Sequence, residues 1–152
     1  MQAAVLSVKL PHLLRWNASR RDHARKISAA LEGSPIIAPN TTDSDDHANH
    51  LFVVRCSKRD ELAEFLAGKG IQTGVHYPIP LHLTDAYQAL GAPKLGSKPV
   101  AETLASEVLS LPMYAELSEH QVSFVIAALQ SFIKQRRPAT PILQSASEAL
   151  AV

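Results

Sequence analysis

The chain has 152 residues, 46% of them apolar, with 15 basic and 14 acidic side chains and a net charge of +1. That length can bury a core without disulfide or metal support. The charge balance offers no basic surface for nucleic acid, and the lone cysteine, Cys56, cannot close an internal disulfide, which suits a reducing cytoplasm.

Residues 1–31 read as a long helix. Leu6, Leu10, Leu13 and Leu14 recur at helical spacing, and Ile27 and Leu31 continue the stripe. Arg15, Arg20, Arg21, Arg25 and Lys26 fill the polar side; the patch of Arg20, Arg21, Arg25 and Lys26 reads as a solvated helix face, with a phosphate contact as the alternative. Pro11 removes one backbone donor and should kink the helix. Gly33 suits its C-terminal end. No capping residue precedes the apolar pattern, so the chain is expected to start inside an element. Lys9 interrupts the apolar start and no charged segment precedes it, so no leader peptide is expected. No apolar run approaches the ~20 residues of a membrane span.

Residues 34–49 form a loop around the polar cluster Asn40-Thr41-Thr42-Asp43-Ser44-Asp45-Asp46, with a short strand at Ile36 and Ile37. Residues 51–55 (Leu-Phe-Val-Val-Arg) are apolar on both sides, which predicts a central strand covered on both faces. Ser57 and Asp60 suggest a capped helix start, with Leu62, Phe65 and Leu66 as its buried stripe and Gly68 and Gly70 at its end. Residues 71–76 are a second strand candidate. Pro78 and Pro80 then hold the chain extended, and a short helix is expected over residues 84–90.

Ser97 and Pro99 open a further helix whose apolar face is Val100, Leu104, Val108 and Leu111, with Pro112 after its end. The last helix has the clearest start. Ser118 and Gln121 make a capping box, Leu117 can staple onto Val122, and Val122, Val125, Ile126, Leu129, Phe132 and Ile133 form its core face. The pattern ends at Lys134, and residues 136–152 read as a disordered tail. The whole is a thin α/β layer, a long N-terminal helix plus a small sheet covered by helices.

One segment carries chemistry: Thr73-Gly74-Val75-His76-Tyr77-Pro78-Ile79-Pro80-Leu81-His82. It leaves a strand at its C-terminal end, where open α/β sheets place ligands, and two prolines stiffen it. His76 and Tyr77 either satisfy local backbone groups or face a ligand; composition leaves both open. His47 and His50 have i, i+3 spacing, but they sit in or beside a loop and match no zinc signature, so no metal site is expected. His12, His23 and His120 fall on helices and read as surface residues. Phosphate loops of the glycine-rich types are absent from the sequence.

Five motifs occur together: Gln2-Ala3-Ala4 with Val8-Lys9-Leu10; Trp16-Asn17 then Arg20-Arg21; His50-Leu51-Phe52-Val53-Val54-Arg55; the segment 73–82; and Leu109-Ser110-Leu111-Pro112-Met113-Tyr114. In this order the chain resembles, over residues 2–134, the C-terminal part of the DegT/DnrJ/StrS family of sugar aminotransferases. The resemblance implies the small C-terminal domain of a fold type I enzyme, usually a homodimer. Such enzymes use pyridoxal phosphate to move an amino group, typically from glutamate, onto a nucleotide-linked keto sugar. Their large N-terminal domain supplies the Schiff-base lysine, the aspartate on the ring nitrogen and most phosphate contacts. Residues matching His76 and Tyr77 lie near the sugar nucleotide, and His82 is carried over with them.

Ile27 replaces a usual tyrosine and Ala115 a common proline. None of the seven lysines (Lys9, Lys26, Lys58, Lys69, Lys94, Lys98 and Lys134) falls in the family's lysine motif, so no catalytic or cofactor-binding residue is assigned. The expectation is a small domain over residues 1–135, with residues 1–33 as a linking helix truncated at its start. Such a chain is expected to bind no cofactor alone and to be inactive without a large domain. The rival expectation is an interaction or regulatory module pairing with a full-length homologue; a degenerate fragment is the third.

Overall fold

The computed structural model describes residues 1–40 and 47–136. The polar cluster from Thr41 to Asp46, and the tail beyond Arg136, lie outside the described residues. The first helical rod is α1 (Gln2–Lys9), a 3-10 turn (Leu10–His12) and α2 (Leu13–Leu31). The turn falls where Pro11 lacks its donor, and the Leu13 amide bonds the Leu10 carbonyl three residues back. Gly33, at φ +67°, lets the chain leave the helix.

The two halves of the rod differ. α2 buries His23, Ala24, Ile27 and Leu31 and packs on the last helix. α1 buries nothing, with Leu6 66% exposed, and the exposure runs on through Leu10 in the turn (67%) to Leu14 at the start of α2 (81%). The expected stripe is therefore buried only at its Ile27–Leu31 end. His12 and His120 are exposed, but His23 is not the surface residue the sequence suggested. It lies on the buried face, and among the described residues neither ring nitrogen has a hydrogen-bond partner.

The sheet pairs β1 (Phe52–Arg55) antiparallel with β2 (Val108–Leu111), in the register Phe52 to Leu111 and Arg55 to Val108. Ile37 adds one bridge outside Arg55, and Gly74 adds one outside Ser110. The two expected strands at residues 36–37 and 71–76 thus shrink to single bridges. On β1, Phe52 and Val54 are fully buried while Val53 and Arg55 are half-buried. Only one face is covered, which corrects the expectation of cover on both.

A second correction concerns residues 108–111. They form β2, not the end of the helix before it. That helix, α5 (Pro99–Glu107), buries Ala105, while Val100 stays exposed. Pro112 disfavours helical geometry at Leu111, and pairing with β1 satisfies the backbone of a β-prone run.

α3 (Arg59–Ala67) buries Leu62 and Leu66, with Phe65 tilted on Phe132 at 5.4 Å. It starts at Lys58 with no side-chain cap, so the Ser57–Asp60 box does not form. Asp60 instead pairs with the Arg59 guanidinium. A short helix, α4 (Asp85–Ala89), lies within the expected span. α6 (Glu119–Arg136) opens on the expected box: the Gln121 amide donates to Ser118 Oγ at 3.2 Å, and the Ser118 amide to Gln121 Oε1 at 2.9 Å. α6 runs through Arg136, beyond the Lys134 limit of the apolar pattern. Phe52, Val54, Leu109 and Leu111 from the sheet meet Ile27, Leu62, Leu66, Val122, Leu129 and Phe132 in one core. Leu117 and Val122 are buried in the same core, as a staple requires. Among the described residues no helix is long and apolar enough to cross a membrane.

Candidate functional site

The core occupies one face of the sheet. The other face carries the segment singled out from the sequence. Gly74 exchanges two backbone bonds with Ser110, at 3.0 and 2.8 Å, and so ties the segment to the edge of β2. A Cβ on Gly74 would stand 3.8 Å from the His76 ring, so that imidazole folds back over the glycine. From there Pro78 and Pro80 withhold two donors, and the chain arches away until the 3-10 turn at Leu81–Leu83.

Tyr77 stands on this arch, 82% exposed, and His76 is exposed beside it. Among the described residues neither side chain has a hydrogen-bond partner. The two rings line a concavity of about 260 Å³ over the sheet, whose floor is Leu51, Val53, Gly74, Val108 and Ser110. Tyr77 also borders a second hollow of about 440 Å³, walled by Ile79, Pro80, Leu81, Leu104 and Ala105. A phenol and an imidazole above an apolar floor can hold the flat or ring-shaped part of a ligand while donating to its oxygens.

His82 is not brought to these hollows. Its ring Nε2 lies 3.0 Å from Glu102 Oε1, and both side chains are largely buried. The Glu102 carboxyl also accepts from the Lys98 and Gly96 amides. The Lys98 amide is the main cause, with the Gly96 amide and His82 adding, of a Glu102 pKa held below the usual carboxylate value. Sequence reading missed Glu102. Its only signal was an acid in the first turn of a proline-started helix, which is ordinary for helix starts.

A third concavity of about 570 Å³ opens between residues 70–72 and the start of α6, beside Tyr114, His120 and Phe124. Among the described residues no group of three or more His, Cys, Asp or Glu converges where a metal could be held.

Residues 1–130 match the model of the DegT/DnrJ/EryC1/StrS aminotransferase family. The chain belongs to this family. It is 50% identical, over 86% of its length, to the erythromycin biosynthesis sensory transduction protein EryC1 of Saccharopolyspora erythraea, of which it covers 36%. It is 44% identical to the dTDP-3-amino-3,4,6-trideoxy-alpha-D-glucose transaminase of Streptomyces venezuelae, covering 89% of this chain and 36% of that one. The S. venezuelae DesV structure, solved in complex with a ketimine intermediate, superposes with a TM-score of 0.82 over 91% of this chain and 37% of its own. The chain therefore spans about a third of the length of the curated relatives it matches.

Enzymes of the DegT/DnrJ/EryC1/StrS family depend on pyridoxal phosphate. The three concavities do not fit an anchored cofactor. None of the three concavities is lined by a lysine or a carboxylate. Lys26 is held by Asp22 and Glu119, Lys94 by Gln88, and Lys69 lies over the Phe65 ring.

Proposed function

We propose that this chain is the substrate-covering small domain of a pyridoxal phosphate-dependent aminotransferase acting on a nucleotide-linked keto sugar. The single observation that supports it is the exposed His76–Tyr77 pair over an open apolar face, in a chain that matches about a third of the length of sugar aminotransferases. In this reading residues 1–135 form the small domain and residues 1–33 link it to a large domain that holds the cofactor. The intact enzyme is a cytoplasmic homodimer, and its amino donor is an amino acid, typically glutamate.

The roles of the residues follow from their chemistry. The Tyr77 hydroxyl and the His76 ring donate to oxygens of the sugar nucleotide. The apolar floor excludes water from the covered face. The two prolines hold the arm extended before any ligand arrives, so less ordering entropy opposes binding. Moving the amino group requires a lysine anchor and a partner for the ring nitrogen, which this reading leaves to the large domain.

The test is a transaminase assay on the purified chain with pyridoxal phosphate, glutamate and a dTDP-linked keto sugar. No turnover and no borohydride-reducible coloured complex are expected. Adding a separately produced large domain of a close relative should give turnover. Turnover by the chain alone would contradict the reading.

The exposed apolar side chains at the start of the rod, Val5, Leu6, Val8 and Leu10, favour a second reading, a non-catalytic module that pairs with a full-length homologue. Co-purification with such a homologue and no gain of activity would favour it over the first.

A further inference from the structure

We propose that His82, Glu102 and Gln88 form a latch that fixes the far end of the arm, and thereby sets where His76 and Tyr77 stand. This deepens the reading above and rests on it for its purpose, though not for its geometry. The near end of the arm is held by the paired Gly74–Ser110 backbone bonds. Between the ends, Pro78 and Pro80 cannot donate, so the arm cannot extend the sheet as a regular strand. Its order must come from where it is tied.

The far tie is double. The His82 ring meets Glu102 Oε1 at 3.0 Å, and the His82 carbonyl accepts from Gln88 Nε2 at 2.6 Å. The His82 and Glu102 side chains are only 12% and 15% exposed. Each partner is itself held. Both Glu102 oxygens accept from the Gly96 amide, and Oε1 also from the Lys98 amide. Gln88 donates to the Pro93 carbonyl at 3.1 Å and accepts from Lys94. A carboxylate satisfied by fixed backbone amides is a rigid acceptor, so the imidazole that meets it has one place to go. His82 is thus a positioning residue. Its ring is committed to Glu102 and lines neither hollow beside Tyr77.

The experiment is 15N relaxation on the 152-residue chain as it stands, comparing the native protein with His82→Ala, Glu102→Ala, Glu102→Gln and Gln88→Ala. The heteronuclear NOE of His76, Tyr77 and Ile79 is expected to fall by about half in the first two variants, while α6 keeps its native values. Glu102→Gln keeps a planar acceptor and should return most of the lost order. Gln88→Ala removes the carbonyl tie together with the Pro93 and Lys94 bonds but leaves the His82–Glu102 contact, and should loosen the same residues less. Unchanged arm values in all four variants would overturn the latch. So would an equal loss of order in α6, because His82 would then serve the fold as a whole. If His82→Ala and Glu102→Ala fail to fold, Gln88→Ala decides alone. No ligand enters these measurements, so the latch can stand even if the sugar-nucleotide reading falls. Adding dTDP to the native chain addresses that reading separately, through shifts at His76 and Tyr77.

Discussion

Tyr77 and His82 lie five positions apart on one arm, yet their surroundings are opposite. Tyr77 is open to solvent and without a partner, while His82 is tied at ring and carbonyl. In the enzyme completed by a large domain, Tyr77→Phe should raise KM for the sugar nucleotide roughly five- to tenfold through loss of about 1 kcal/mol of hydrogen bonding. Steady-state kinetics with varied sugar nucleotide reads this directly; an unchanged KM would remove Tyr77 from the site. Glu102 gives a pH signature. Its carboxyl is held below its ordinary 4.5 by the Lys98 and Gly96 amides and His82. A lowered acid pKa contributes stability that is present above the unfolded value and is lost as pH falls through the folded one. The melting temperature of the native chain should therefore drop on acidification below about pH 4.5, and less steeply in Glu102→Gln. Parallel melting curves against pH would exclude that contribution. His23 is a different case. It is buried with both ring nitrogens unpartnered, so His23→Leu should be neutral or stabilising by up to about 1 kcal/mol in urea unfolding.

Among the elements, two sequence boxes promised helix starts and only one formed. Ser118 and Gln121 exchange bonds across the first turn of α6, so Ser118→Ala should cost about 1 kcal/mol in urea unfolding. Ser57→Ala should stay within about 0.5 kcal/mol, because Ser57 is exposed and caps nothing. Reversed magnitudes would mean that the two starts had been misassigned. The α5–β2 boundary teaches a related lesson. Positions 100, 104, 108 and 111 satisfy a helical period, yet Val108, Leu109 and Leu111 also satisfy a strand. Short apolar runs do not choose between the two; a pairing partner does.

On the scale of the whole molecule, apolar surface stays open along the leucine stripe from Leu6 to Leu14 and on the outer face of the sheet. In the proposed assembly both meet the large domain. Leu6→Ser combined with Leu10→Ser should leave the melting temperature nearly unchanged, since both side chains are exposed, but should weaken association with a large domain. Pull-down and calorimetric titration check the two halves separately, and undiminished association would move the contact elsewhere.

Local rules were enough for much of this protein. A proline without a donor interrupts the first rod with a 3-10 turn, a Ser–Gln pair opens the last helix, and a proline-braced His-Tyr segment marks the arm and the family. Long-range partners decided the rest. Residues 108–111 became a strand because β1, over fifty positions earlier, supplied the matching edge. His82 became a tie because Glu102, 20 residues on, was already gripped by backbone amides. β1 kept one open face and His23 lost its solvent for the same reason. Burial and pairing depend on which surfaces meet, and chain-local preferences carry no record of that.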